Sequence, residues 1–122
     1  MEIVPLQNLP RQQLKVNLDG VTYTLTFVAI ENIMYATVAI NDVVISNGAR
    51  CVKGYPIVPY PALEGKTGNF IFLTNGEDVP WWENFGINQT LYYLTANELA
   101  YTRQVLSSAL IYMLAYRQKY YQ

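Results

Sequence analysis

The sequence predicts a small all-β protein, an antiparallel β-sandwich or barrel followed by one C-terminal α-helix. Apolar and polar residues alternate over residues 14–27, the period of a half-buried strand. Asp19-Gly20 interrupts this alternation, and the pair is typical of a two-residue hairpin turn, in which both residues need φ > 0. After Thr95 the apolar spacing changes to that of a helix. The chain is therefore predicted to form antiparallel strands up to about residue 95.

The first predicted elements are an N-terminal arm and the two strands of a hairpin. Residues 1–10 contain Pro5 and Pro10, which favour an extended arm or an edge strand. In the hairpin, one face is apolar on both strands and three threonines lie on the other. The apolar positions are Leu14, Val16, Leu18, Val21, Tyr23, Leu25 and Phe27.

The remaining strands are separated by residues that favour turns. Asn41-Asp42 is predicted to turn the chain from strand 33–40 into strand 43–45, which ends at residues 46–48. The other expected elements are a possible short strand at 49–53, a long loop at 54–68, a strand at 69–73, a structured loop at 77–86 and a strand at 89–94. If the apolar strand 69–72 lies at a sheet edge, it is an aggregation hazard that a neighbouring subunit would pair.

The segment from Thr95 to Glu98 has the sequence of a capping box, in which each side chain bonds the other residue's backbone N–H. We therefore predict a helix over 96–118. Its apolar face contains Leu99, Leu106, Leu110 and Met113, with Tyr116 at its margin. This divides the chain into a β domain over 1–95 and a helical extension over 96–122.

The composition favours a subunit of an assembly over a free monomer. Hydrophobic residues make up 52% of the chain and charged residues 14%, with a net charge of −1. A surface with so few charges is poorly protected against association. A small, poorly soluble monomer is the plain alternative. The scattered Lys and Arg residues argue against nucleic-acid binding, and the apolar run 105–116 is too short to cross a membrane.

The sequence offers little catalytic chemistry. It contains no histidine and one cysteine, which removes the commonest general base and the usual zinc ligands. We therefore expect no enzyme activity, no cofactor and no metal. Glu64 and Glu83 could form an acid/base pair for glycoside hydrolysis, which is a minor alternative. Cys51 is expected to be a small buried apolar residue.

Aromatic residues are the main candidates for contact. Trp81 and Trp82 could stack on a sugar together with Tyr55 and Tyr60, or they could fill the core and a protein interface. We predict that one or two of Trp81, Trp82 and Phe85 are buried and that the rest lie at a subunit contact. A second predicted contact is the helical face of Leu99, Leu106, Leu110, Met113 and Tyr116. The alternative is that the β domain itself covers part of that face.

An ordered set of short motifs resembles the baseplate plug family of contractile-tailed bacteriophages over residues 3–95. The motifs are Pro5-Leu6, Leu14-x-Val16-x-Leu18-Asp19-Gly20-x-x-Tyr23, Asn47-Gly48-Ala49-Arg50-Cys51, Tyr60-Pro61-x-Leu63-Glu64-Gly65, Gly68-Asn69-Phe70-Ile71-Phe72, Trp82-Glu83-Asn84-Phe85-Gly86 and Leu91-Tyr92-Tyr93-Leu94.

The resemblance implies a structural virion protein in the centre of a tail baseplate, made in the host cytoplasm. Its implied partners are the hub, tube and spike proteins and further copies of itself around the axial channel. The family has no catalytic residues to transfer. Residues 96–122 extend past the resemblance, so their role is inferred from the residues alone. The second hypothesis is a carbohydrate-binding module for host recognition that uses Trp81 and Trp82.

Overall fold

A computed structural model of the protein describes residues 1–58, 68–76 and 79–101. These residues form seven strands, one short 3₁₀ turn and the start of a helix. The elements are β1 (Glu2–Val4), β2 (Arg11–Leu18), β3 (Val21–Ile30), β4 (Ile33–Ile40), β5 (Val43–Arg50), β6 (Asn69–Thr74), the 3₁₀ turn Trp82–Asn84, β7 (Gln89–Leu94) and α1 (96–101). The remainder of the predicted helix 96–118 lies outside the described residues, and the boundary of the β domain at residue 95 stays a prediction.

Strands β2 to β5 form one antiparallel sheet in chain order, here called the meander sheet. Three two-residue turns connect them, and both residues of every turn have positive φ. The values are 57° and 74° at Asp19-Gly20, 49° and 68° at Glu31-Asn32, and 49° and 69° at Asn41-Asp42. Such turns match the twist of the strands they join. The predicted turns at Asp19-Gly20 and Asn41-Asp42 are confirmed.

The alternation of side chains in the meander sheet follows the predicted pattern. Tyr23, Leu25 and Phe27 are fully buried, and Leu14 and Val16 of the paired strand pack against the same core. The register places Leu14 opposite Leu25 and Val16 opposite Tyr23. Since side chains alternate between faces, the intervening residues form the outer face of the sheet.

The prediction that a strand ends at residues 46–48 is wrong. β5 is continuous from Val43 to Arg50, with shifts in its pairing to β4 at this point. Gly48 has a φ of 67°, and its N–H donates to the Thr37 hydroxyl. The Thr37 hydroxyl in turn donates to Asn47 Oδ1. Asn47 and Gly48, which are typical of a turn, therefore form an irregularity within a continuous strand.

The other sheet, here called the small sheet, has the order β1-β7-β6 and is also antiparallel. β1 is an edge strand, as the prolines of the arm predicted. Val4 lies opposite Leu91 and is buried, whereas Ile3 remains 64% exposed. The small sheet therefore joins the beginning of the chain to residues about ninety positions later.

The two sheets share one aromatic core. Tyr23 of the meander sheet contacts Phe70 and Tyr93 of the small sheet, with ring centroids 5.1 and 5.6 Å apart. Further along, the Phe27 ring lies 5.8 Å from Phe72. Aromatic pairs at such distances add to the hydrophobic stabilisation of burial. The prediction of an all-β antiparallel fold followed by a C-terminal helix is confirmed, and the described part of that helix is 96–101.

Strand β6 lies at the edge of the small sheet, but part of its free side is already covered. The chain's own segment 54–58 covers the side of β6 away from β7. The N–H groups of Gly54 and Ile57 donate to the carbonyls of Phe72 and Phe70, both at 2.8 Å. The Asn69 side chain completes this pairing by bonding the backbone of Val58.

Candidate functional site

The candidate contact loop covers residues 79–88, between β6 and β7. Its entry is held by Gln89, a buried residue at the start of β7. Gln89 Oε1 accepts the Trp81 N–H at 2.7 Å, and Gln89 Nε2 donates to the Val79 carbonyl at 2.8 Å. Because a buried amide is costly unless it is hydrogen-bonded, this pairing fixes the loop against the sheet.

The N-terminal arm fixes the other end of the loop. Asn8 Nδ2 lies within hydrogen-bond distance of three carbonyl oxygens, at 3.0 Å from Trp82, 3.3 Å from Glu83 and 2.9 Å from Phe85. These carbonyls belong to the 3₁₀ turn and the residue after it. One side chain of the arm thus holds the turn that begins at Trp82, directly after Trp81.

The three predicted anchor residues occupy two environments. Phe85 is 2% exposed, and its ring stacks on Phe72 at 5.3 Å with planes 18° apart. Trp81 and Trp82 are half-buried and pack against the same core. Their centroids lie 6.1 Å apart with planes tilted by 46°, and Trp81 Nε1 donates to Glu83 Oε1 at 3.1 Å. The loop therefore joins the core to the surface, while a subunit contact at the tryptophans stays a prediction.

The start of α1 packs on the outer side of the small sheet. The capping box is confirmed: the Thr95 N–H donates to Glu98 Oε1 at 2.9 Å, and the Glu98 N–H donates to the Thr95 hydroxyl at 3.3 Å. Leu99, one turn later, is 2% exposed and packs with Ile71 and Leu94.

Leu99 is thus placed within the chain's own fold, in agreement with the alternative that the β domain covers part of the helical face. The other predicted contact residues of the helix, Leu106, Leu110, Met113 and Tyr116, lie outside the described residues. Their contact role stays a prediction.

An apolar cavity of about 220 Å³ opens between the arm and the start of β7. Its lining residues are Ile3, Val4, Pro5, Leu6, Phe85, Gly86, Gln89, Thr90 and Leu91. Ile87, next to the cavity in the chain, is 77% exposed. Apolar side chains therefore reach the surface around the same loop that carries the tryptophans.

Burial shifts the pKa of two titratable side chains in the core, Cys51 and Tyr93. Burial raises the pKa of the Cys51 thiol to about 12, so the thiolate nucleophile is not formed at neutral pH. Burial, followed by the hydrogen bond with Tyr23, also raises the pKa of the Tyr93 phenol. Within residues 1–58, 68–76 and 79–101, no three acidic or cysteine side chains are grouped to hold a metal ion.

Comparison with known proteins identifies the family. The sequence model of the family described as cyanophage baseplate Pam3 plug gp18 matches residues 1–97. The chain belongs to this family. The match covers the β1 to β7 fold and both sides of the contact loop. No curated protein matches the chain. In the described part of the chain, no helix is long and apolar enough to span a membrane.

Family membership makes the protein a structural component of a phage baseplate, located in the virion tail. The contact role predicted for the loop of Trp81, Trp82 and Phe85 stays a prediction. The polar residues that hold it, Asn8 and Gln89, were missed. No pattern distinguishes a buried amide from an exposed one in a single sequence, although the position of Gln89 at the start of a buried strand is a weak signal.

Proposed function

We propose that this baseplate protein belongs to a contractile tail and lies at the centre of the baseplate, near the end of the tube and the hub. It acts through protein–protein contacts and catalyses no reaction. The family match over residues 1–97 is the observation that supports this proposal. The proposed partners are the hub, tube and spike proteins and further copies of the same chain.

The proposed contacts are apolar and use the loop that carries Trp81 and Trp82. Aromatic residues in the centre of an interface supply much of its binding energy, since they bury a large area with few rotatable bonds. Both indoles are half-buried and therefore keep part of their surface for a partner. Asn8 and Gln89 hold the backbone beneath them, so little ordering of this loop opposes binding.

The proposal is tested on purified virions of the phage that encodes the chain. Cross-linking followed by mass spectrometry should connect the protein to hub, tube or spike subunits, and electron microscopy should place it on the tail axis. Intact virions that lack the protein would contradict the proposal. Cross-links restricted to the outer baseplate would contradict the central position.

The helical contact is proposed separately. Leu106→Ser with Leu110→Ser in the full chain should weaken self-association or binding to a tail partner while the β-sheet circular dichroism spectrum is retained. Gln104→Ser is the matched control, because Gln104 lies on the polar side of the predicted helix. Loss of the folded state in the double variant would instead assign these leucines to the domain's own core.

Carbohydrate binding remains the second candidate. The half-buried indoles of Trp81 and Trp82 keep part of their surface exposed, on which a sugar could stack. A titration with host-surface glycans that changes the tryptophan fluorescence, and that is abolished by Trp81→Ala, would favour this function. An unchanged spectrum would favour protein contact.

A further inference from the structure

We propose that Asn75 is a site of spontaneous deamidation in the folded protein, and that Thr37 protects Asn47 from the same reaction. Asn47-Gly48 and Asn75-Gly76 are the two Asn-Gly pairs of the chain. The proposal concerns covalent chemistry within one chain, so it does not depend on the proposed assembly role.

The reaction is an attack by a backbone nitrogen on the side chain before it. The glycine nitrogen loses its proton and forms a bond with Cγ of the asparagine. The bond from Cγ to the side-chain nitrogen breaks, and that nitrogen takes up a proton and leaves as ammonia. Water then opens the cyclic imide at one of its two carbonyls, which gives aspartate or isoaspartate. Glycine favours the attack because it has no Cβ to obstruct the close approach of its backbone.

Hydrogen bonding of the backbone, and not exposure, distinguishes the two pairs. All four residues are exposed to solvent. The glycine nitrogen can reach Cγ only when the peptide group between the two residues rotates. Hydrogen bonds that hold this peptide group must open first, and the free energy of opening is added to the barrier.

Asn47 lies inside a paired strand. Its neighbour Ser46 is paired with Val38 of β4, and Ala49, two residues after Asn47, is paired with Ala36. The Asn47-Gly48 peptide group therefore cannot rotate unless the pairing on one side of it opens.

Thr37 holds both reacting groups of the Asn47-Gly48 pair. The Gly48 N–H donates to the Thr37 hydroxyl at 3.0 Å, and this hydroxyl donates to Asn47 Oδ1 at 3.1 Å. The attacking nitrogen would have to give up its hydrogen bond to lose its proton, and the side-chain amide would have to leave the same hydroxyl. We therefore expect Thr37 to slow the reaction at Asn47.

Asn75 lies beyond the end of β6, in a bend before the contact loop. Its own N–H donates to the Asn88 carbonyl at 2.9 Å, on the side away from Gly76. Within residues 1–58, 68–76 and 79–101, no acceptor is hydrogen-bonded to the Gly76 N–H. The attacking nitrogen of this pair is therefore not held by a bond of the kind that Thr37 makes with Gly48.

Conversion of Asn75 would alter the bend between β6 and the contact loop. Both products carry a carboxylate in place of a neutral amide, and isoaspartate also lengthens the backbone by one methylene group. The Gly76 carbonyl accepts the Thr74 hydroxyl at 2.9 Å and the Lys53 ammonium, while the Asn75 N–H is bonded to Asn88. An extra methylene between these bonded points displaces at least one of them.

The test is peptide mapping by mass spectrometry of the purified full chain during incubation at mildly alkaline pH. Chromatography separates the aspartyl and isoaspartyl forms of each peptide. In the native protein, Asn75 should convert at least about tenfold faster than Asn47, since one hydrogen bond changes a rate by about this factor. In urea, where both pairs lose their hydrogen bonds, the two rates should be similar.

Thr37→Val keeps the shape of the side chain and removes the hydroxyl, so it should accelerate conversion of Asn47 about tenfold and leave Asn75 unchanged. Thr26→Val is the matched control, because Thr26 lies opposite Thr37 but its hydroxyl is bonded to Gln13. Asn75→Gln should abolish the fast conversion, since the longer side chain would have to close a larger ring.

The proposal is overturned if native Asn75 converts no faster than Asn47, or if the two rates differ in urea by the same factor as in the native chain. An Asn47 rate that is the same in Thr37→Val and wild type overturns the protective role of Thr37. Circular dichroism establishes that each variant is folded. Should Thr37→Val fail to fold, the comparison of wild type in native buffer and in urea decides.

Discussion

The Asn69 side chain pairs with the backbone of Val58 as a neighbouring strand would. Asn69 Oδ1 accepts the Val58 N–H at 3.0 Å, and Asn69 Nδ2 donates to the Val58 carbonyl at 2.9 Å. Asn69 is fully buried, so water cannot replace these bonds. This one residue continues the cover that segment 54–58 places over β6 and gives the backbone groups of buried Val58 their partners.

Asn69→Ala should lower the free energy of unfolding by about 2–4 kcal/mol, because it leaves buried Val58 groups without partners. Urea unfolding followed by fluorescence measures the loss. Asn97→Ala, on the exposed side of α1, is the control and should change stability by less than about 0.5 kcal/mol. Equal stability of the two variants would contradict the role assigned to Asn69.

Gly68→Ala should be more damaging than its size suggests. A Cβ at Gly68 would lie 1.9 Å from the Leu94 carbonyl oxygen and 2.7 Å from the Tyr93 ring, so the end of β7 would have to move. We expect a loss of about 3 kcal/mol or more in thermal or urea unfolding. Gly20→Asn is the control, since nothing lies within 4 Å of a Cβ there and Asn tolerates its φ of 74°. A stable Gly68→Ala variant would show that this approach is looser than the structure has it.

Phe85→Ala should destabilise the folded chain by about 3–5 kcal/mol, since its ring fills the core against Phe72 and Phe27. Trp81→Ala should cost less in folding and more in partner binding, because the indole is only half-buried. Unfolding and association are measured on the same samples. Phe85→Leu, which keeps most of the apolar volume, controls for the truncation. If Trp81→Ala folds and binds as wild type does, the loop is not a contact site.

The Cys51 thiol should be unreactive in the native protein. The residue is 4% exposed, and burial raises its pKa to about 12, so the thiol stays protonated at pH 7–9. A thiol-specific chromogenic reagent should label the native chain only as fast as it unfolds, and should label one thiol per chain in urea. Rapid labelling without denaturant would place Cys51 at the surface.

The N-terminus of α1 should weaken in acid. The amino group of Met1, 2.6 Å from Glu98 Oε2, and then the Thr95 N–H hold the pKa of Glu98 below its ordinary value of 4.5. A carboxyl whose pKa is lowered in the folded state stabilises the fold fully at a pH above its ordinary pKa. This stabilisation is lost as the pH falls through the lowered, folded-state pKa. Glu98→Gln keeps the cap acceptor but removes the charge. Its melting temperature should lie below that of wild type at pH 7, and the difference should shrink as the pH falls below 4.5.

A constant difference between these two proteins across that pH range would contradict the assigned ion pair. The same measurement on Asn97→Ala is the control. Asn97 is an exposed, uncharged residue of α1, and its removal should leave the pH dependence unchanged.

Much of this fold could be predicted from the sequence because its turns are local. Asp19-Gly20 and Asn41-Asp42 are residue pairs that tolerate positive φ, so they predict two-residue turns. The alternation of apolar and polar residues around these turns predicts which face of each strand is buried. Glu31-Asn32 adopts the same conformation with a glutamate at its first position, a residue that does not favour positive φ, so the third turn was less evident. The irregularity at Gly48 depends on a hydrogen bond to Thr37 of the neighbouring strand. Sequence spacing carries no information about that bond.

The candidate site was predictable only in part, for a related reason. The aromatic cluster of Trp81, Trp82 and Phe85 stands out in the composition of the loop. Its support comes from Asn8 and Gln89, which are 77 and four positions from Phe85 in the chain. Long-range contacts between single polar side chains leave no periodic pattern. The same holds for Leu99, whose burial depends on how α1 turns back over the small sheet.

The pairing of Glu2 with Tyr93 has a consequence for the order of folding. The meander sheet needs only residues 11–50, and its two-residue turns make each hairpin cheap to close. β1 leaves the ribosome first but obtains its partner only after β7 has been made. Until then, the aromatic side of the meander has no cover, and nascent chains on one polysome hold such surfaces close together. We therefore expect the small sheet to be completed late in folding, and the exposed aromatic surface to favour aggregation of nascent chains in this interval.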